Sequence, residues 1–114
     1  TVGLVRARLC ELLADAHPVA APDRAFTVGL FSVVDALLGK PMQALLDELP
    51  FDSRITHALL DHDGPEGRLL AAVLAYERGD FNDVARYGVG LPALAGAYRE
   101  AIDWADGVAV QLAA

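Results

Sequence analysis

Apolar residues recur along this 114-residue chain at steps of three and four, and proline, glycine or an acidic residue interrupts the pattern at short intervals. Every assignable segment therefore reads as helix, and no stretch is a convincing strand. The first helix is predicted from near Val2 to Asp15, with Val5, Leu9 and Leu12 at helical spacing. Pro18 ends it, because proline lacks an N–H and disfavours the α conformation in the residue before it. After a connector at 17–22, a central helix is expected with Asp23 as its N-cap and Gly39 as its C-terminal stop. Phe26, Leu30, Val33 and Leu37 fall on one side of it and Val28, Phe31 and Leu38 on others, which predicts burial nearly all round.

Pro41 opens a short helix with Met42, Leu45, Leu46 and Leu49 facing inward. Pro50 and Asp52 close it and start the next, where Ile55, Ala58, Leu59 and His62 form one stripe. Asp63-Gly64-Pro65-Glu66 then combines a capping residue, an early proline and a Glu three positions on, the spacing of a capping box. Leu69, Leu70, Val73 and Leu74 make the buried face of the helix that follows. Gly79 ends it, Asp80 caps a short turn through Tyr87, and Gly88 and Gly90 loosen the chain. In a long last helix Leu91, Leu94, Tyr98, Ala101, Ala105, Val108 and Leu112 form a seam that docks on the core, with a homodimer seam as the sharper alternative. Trp104 beside it is expected in the core. The fold expected is all-α: one compact bundle of about six or seven helices spanning 1–114.

Composition narrows the function. Nine Lys and Arg against 16 Asp and Glu give a net charge of −7, which repels nucleic-acid backbones and anionic lipid surfaces. The longest apolar run, 28–38, is interrupted by Asp35 and is far shorter than the ~20 residues of a membrane span. Cys10 is the lone cysteine, so no internal disulfide can form, consistent with a reducing cytoplasmic compartment. Neither a nucleophile elbow nor a phosphate-cradling glycine loop is present, and no metal-type Cys and His spacing occurs. No cofactor is expected.

Several stretches carry a resemblance when taken in order. They are Arg6-Ala7-Arg8-Leu9-Cys10-Glu11-Leu12-Leu13, the central run Ala25 to Gly39, Leu46 to Asp52, Ala58-Leu59-Leu60, Gly64-Pro65-Glu66-Gly67, and Ala75-Tyr76-Glu77-Arg78-Gly79-Asp80-Phe81. From residue 6 to about 85 the chain resembles the HDOD (HD-related output) domains, a branch of the HD superfamily of metal-dependent phosphohydrolases. It is most similar to those that follow a cyclic di-GMP phosphodiesterase (EAL) domain. In the catalytic members the central run reads roughly Gly-Leu-Leu-His-Asp-Ile-Gly-Lys. Aligning Gly29-Leu30 with it puts Ser32 and Val33 where the metal-binding His and Asp would stand. A hydroxyl and an isopropyl group cannot supply imidazole and carboxylate donors, so these are degenerate HD positions and no metal is expected there.

The resemblance implies a non-catalytic module of bacterial signal transduction that works through protein partners or an attached signalling domain. The chain begins at Thr1 without an initiator Met, and such modules run longer, so this is expected to be the C-terminal part of one. Ser32 and Asp35, one turn apart, are candidates for a vestigial ligand pocket, with Asp35 at a solvent-facing edge as the plainer reading. Tyr76, Glu77 and Arg78 are candidates for an interaction surface, against the plainer reading of a solvated helix end. His62-Asp63 spells the signature of the superfamily by coincidence, since it stands between two helices, and His57 lies ~140° from His62 on a continuous helix. The alternative is a small metal-dependent phosphohydrolase of HD type drawing its ligands from His57, His62, Asp63 or Asp35.

Overall fold

A computed structural model describes residues 2–113. The described residues are all-α, with eight helices in chain order: α1 Val2–Asp15, α2 Pro22–Phe31, α3 Val34–Leu38, α4 Met42–Glu48, α5 Ser53–Asp61, α6 Gly64–Glu77, α7 Phe81–Arg86 and α8 Leu91–Ala113. α1 lies at the centre and packs on α2, α8 and α6, while α6 also touches α2, α5 and α7. Leu9 and Cys10 of α1, Val28 of α2, Leu70 and Val73 of α6, Val84 of α7 and Leu94 of α8 meet in the interior with no exposed surface to speak of.

The most extensive of these contacts, between α1 and α2, depends on a residue with no side chain. A Cβ at Gly29 would stand 2.8 Å from both the Ala7 Cα and the Arg6 carbonyl oxygen. Glycine and alanine at the crossing let the two backbones approach within side-chain reach, which is how helices with small interface residues pack most closely. Gly67 does the same for the α5–α6 corner, where a Cβ would run into the His62 carbonyl carbon.

The single central helix expected from the sequence is two helices, α2 and α3, parted at Ser32 and Val33. The Ser32 hydroxyl donates to the Gly29 carbonyl at 2.6 Å. That oxygen would take the Val33 N–H in an unbroken helix, and serine side chains compete for backbone partners in this way. Gly39 ends α3 as expected, in the left-handed region at φ 64°. None of the five α3 residues is buried, and Leu37 is 77% exposed, contrary to the burial expected all round this run.

Two expected caps are also corrected. Ala21, not Asp23, stands at the N-cap of α2, because Pro22 takes the first helical position and holds the residue before it extended. The capping box at Asp63 does not form. His62 turns left-handed at φ 55°, and the Asp63 N–H donates to the His57 carbonyl, closing the end of α5. With that N–H engaged, Glu66 turns inward instead. His62 is therefore exposed and not on the stripe with Ile55, Ala58 and Leu59. Asp52 and Asp80 do cap α5 and α7, accepting from the N–H groups of Ile55 and Asp83.

The α8 seam docks on the core through Leu94, Ala101 and Ala105, all buried, but Leu112 is 79% exposed and the last turns run on past the bundle. Trp104 is half-buried, edge-on to Phe26 and beneath the Arg8 guanidinium. No single described helix is long and apolar enough to cross a membrane.

Two glycine substitutions separate close packing from helix propensity. Gly29→Ala is expected to destabilise the fold by about 1–3 kcal/mol, since the backbones must part to admit the methyl group. Gly96→Ala in α8, where a Cβ meets nothing within 4 Å, should stabilise by about 0.5–1 kcal/mol. Urea unfolding of both variants checks the opposite signs.

Candidate functional site

Ser32 and Val33 sit at the break between α2 and α3, against the first two turns of α1. Ser32 is half-buried there and is engaged from both sides. Its hydroxyl donates to Gly29, and it accepts from Nη1 of Arg6 at 3.0 Å. The same guanidinium reaches Glu77 at the end of α6, with Nε on Oε2 at 2.9 Å and Nη2 on Oε1 at 2.6 Å. Arg6 thus holds three helices at one point, using the planar fork that makes arginine suited to bidentate carboxylate pairing. Its side chain is only 12% exposed.

This arrangement does not fit a divalent metal at Ser32 and Val33, the positions where the resemblance to HD phosphohydrolases would place metal ligands. Ser32 and Val33 supply no imidazole or carboxylate, and a permanent cation already lies on the Ser32 oxygen. Ser32 and Asp35 are not hydrogen-bonded to each other, because the Ser32 proton goes to Gly29 and Asp35 accepts from the Ala36 N–H. Neither residue lines the cavity beside Arg24 and Glu66 or the one beside Val5, Glu77 and Tyr98.

The candidate interaction surface at Tyr76, Glu77 and Arg78 is likewise engaged within the fold. Tyr76 is half-buried between Phe81 and Tyr98, with ring centroids 5.7 and 5.4 Å away. Glu77 belongs to Arg6, and Arg78 lies 3.5 Å from Asp83 across the α6–α7 turn. Of the three, Arg78 is the one left mostly open to solvent.

A second polar cluster, which the sequence pattern does not reveal, lies where α2, α5 and α6 meet. Arg24 of α2 reaches Oε1 of Glu66 at 2.7 Å, and that hydrogen bond raises the arginine pKa above its already high value. Glu66 is the one buried charged residue among those described, and its second oxygen, Oε2, has no partner. The pair borders an open cavity of about 440 Å³, also lined by Val19, Ser53, Arg54, His57 and Asp63. Beside it, donor atoms of His57, Asp61 and Asp63 lie within 4.8 Å of one another, all on exposed residues. His62 and Asp35 are not part of that cluster. His17 lies elsewhere, accepting through Nδ1 from the Val19 and Ala20 N–H groups.

Cys10 is buried one helical turn from Arg6. Burial pushes its thiol pKa up to about 12, with Arg6 lowering and Glu77 raising it to lesser degrees. A thiol held protonated in this way is not a nucleophile at neutral pH.

Two known proteins are similar in sequence. Over 87 residues, 75% of this chain, it is 36% identical to the cyclic di-GMP phosphodiesterase CdgJ of Vibrio cholerae, and the match covers 20% of that protein. Over 105 residues, 90% of this chain, it is 30% identical to the uncharacterized protein YuxH of Bacillus subtilis, covering 26% of it. The chain therefore spans about a fifth to a quarter of the length of the curated relatives it matches. No family model and no solved structure matches.

Two measurements test this site. In a double-mutant cycle of Arg6→Ala with Glu77→Gln, a coupling free energy on the order of 1 kcal/mol is expected from unfolding curves, and additive effects would mean that the pair contributes nothing. For Cys10, the folded pKa lies above the unfolded value near 9.0. Between pH 9 and about 12 the unfolded chain has lost a proton that the folded one keeps, so stability falls as pH rises, by about 1.4 kcal/mol per unit. Below pH 9 both states are protonated and the effect is absent. The wild type should therefore lose stability against Cys10→Ala with increasing pH in that window, and parallel curves would refute the shift.

Proposed function

We propose that this chain is an HDOD-type regulatory module of bacterial cyclic di-GMP signalling, acting through protein contacts and not through catalysis. The observation that supports this best is the identity of the groups at the degenerate HD positions. Ser32 and Val33 stand in for His and Asp, and Arg6 binds the serine oxygen. The similarity to CdgJ supports the signalling context. On this reading the chain is one helical domain, cytoplasmic, joined to a phosphodiesterase domain whose activity it tunes. Its partners are proteins or an attached domain, with a homodimer as one arrangement, and neither nucleic acid nor membrane is among them.

The competing reading, a metal-dependent phosphohydrolase, finds its support in the His57, Asp61 and Asp63 donors. Those three groups lie on exposed residues, without the converging buried ligands that hold a metal rigidly for hydrolysis.

Two assays separate the readings. The purified chain, given manganese or magnesium ions with cyclic di-GMP or simple phosphate esters, is expected to show no turnover. Hydrolysis that disappears in His57→Ala would establish the enzyme. In a protein joining this chain to a phosphodiesterase domain, deleting the module should change cyclic di-GMP hydrolysis at least several-fold, whereas Ser32→Ala should leave it near the parent rate. An unchanged rate on deletion would refute regulation.

A further inference from the structure

We infer that the corner between α5 and α6 binds a divalent transition-metal ion such as zinc through His57, Asp61 and Asp63, with Glu66 as its outer-shell partner. The backbone brings the three donors together. His57 and Asp61 are one turn apart on α5, with Nδ1 and Oδ2 3.4 Å from each other. The left-handed His62 then folds the chain back, and the Asp63 N–H donates to the His57 carbonyl at 3.3 Å, which returns Asp63 to the other two. Donor atoms of all three lie within 4.8 Å of one another. An ion with bonds of about 2.1 Å holds its donors roughly 4 Å apart or less, so small rotations of these exposed side chains close the set. One imidazole and two carboxylates suit zinc or manganese better than magnesium or calcium, which favour oxygen alone.

Glu66 is the independent sign of a ligand. Its side chain is 5% exposed, it borders the cavity that His57 and Asp63 also line, and Oε2 has no partner although Oε1 takes Arg24. A buried carboxylate oxygen left unbonded is costly. Glu66 is not one of the three donors, so a water carried on the ion supplies the missing O–H, the role that carboxylates play behind metal ligands. The sign of the charge agrees, since Asp61, Asp63 and Glu66 outnumber Arg24 and Arg54 around the cavity. The bound ion pins the end of α5 to the start of α6. Because its ligands are on exposed residues, it exchanges with solvent and serves no hydrolysis, and the site does not rest on the regulatory reading above.

Zinc titrated into the purified chain in a non-chelating buffer, followed by calorimetry and by thermal unfolding, tests the site without any substrate. One ion per chain should bind with a Kd in the micromolar range and raise the unfolding temperature. His57→Ala and Asp63→Asn, both at exposed positions, should fold and weaken binding at least ~10-fold, with Glu66→Gln weakening it about 10-fold. His62→Asn keeps a residue that tolerates the left-handed turn and should bind as the wild type does. No saturable binding below about 1 mM zinc, undiminished binding by His57→Ala and Asp63→Asn, or loss of binding in His62→Asn would overturn the site. Wild-type affinity in a folded Glu66→Gln would overturn the outer-shell role.

Discussion

The rest of the structure depends on the contact of Gly29 with the α1 backbone at Arg6 and Ala7. It is a constraint of volume, since a methyl group on Gly29 would fall well inside the contact distance of the Ala7 Cα. Packing at interior density does not absorb such an overlap without moving a helix. Once α1 and α2 are this close, the side chain of Arg6, one residue from the crossing, comes to the end of α2 and meets Ser32. Ser32 in turn diverts the Gly29 carbonyl and the helix ends one residue before it. Close packing, the break and the polar contact are thus one event seen at three atoms.

The polar contacts inside this bundle are few and placed where helices must be held in register. Arg6 joins α1, α2 and α6 at one end of α6, and Arg24 with Glu66 joins α2 to the other end. Neither pair can be counted as a large gain in stability, because taking charges out of water offsets most of the attraction between them. Their geometric effect is clearer. An apolar α6 lined with leucine, alanine and valine could slide along its neighbours at little loss of burial, whereas two charge pairs at opposite ends admit one alignment.

The architecture was largely legible in the sequence because helical spacing, proline and glycine report local preferences that the packing respects. Asp52 and Asp80 cap as their positions suggest, Gly39 ends its helix, and the seam of α8 docks through the alanines and leucine expected of it. What could not be read depends on contacts between segments far apart in sequence. Ser32 looks like a residue inside a helix until Arg6 is known to reach it, and Glu66 looks like half of a capping box until Arg24 draws it inward. The contacts of Tyr76 and Glu77 with Phe81, Tyr98 and Arg6 were hidden for the same reason. The missed signal, if there was one, lay in the cations. Arg6 and Arg24 sit on otherwise buried helix faces, and a buried-face arginine calls for a carboxylate somewhere else in the chain.

An arginine and a metal ion differ in more than chemistry as ties between helices. A divalent ion binds reversibly and depends on its concentration and on pH, so a fold that relies on one is coupled to the supply of metal. A guanidinium belongs to the chain, keeps its charge at every physiological pH and is present whenever the chain is. Arg6 ties α1 to α2 and α6 under all such conditions, so the break at Ser32 is a fixed structural joint. Mobility is then expected away from this joint, in segments the core holds less firmly. α3, with no buried residue, and the end of α8 beyond Ala105 are the parts of the fold with least to lose by moving.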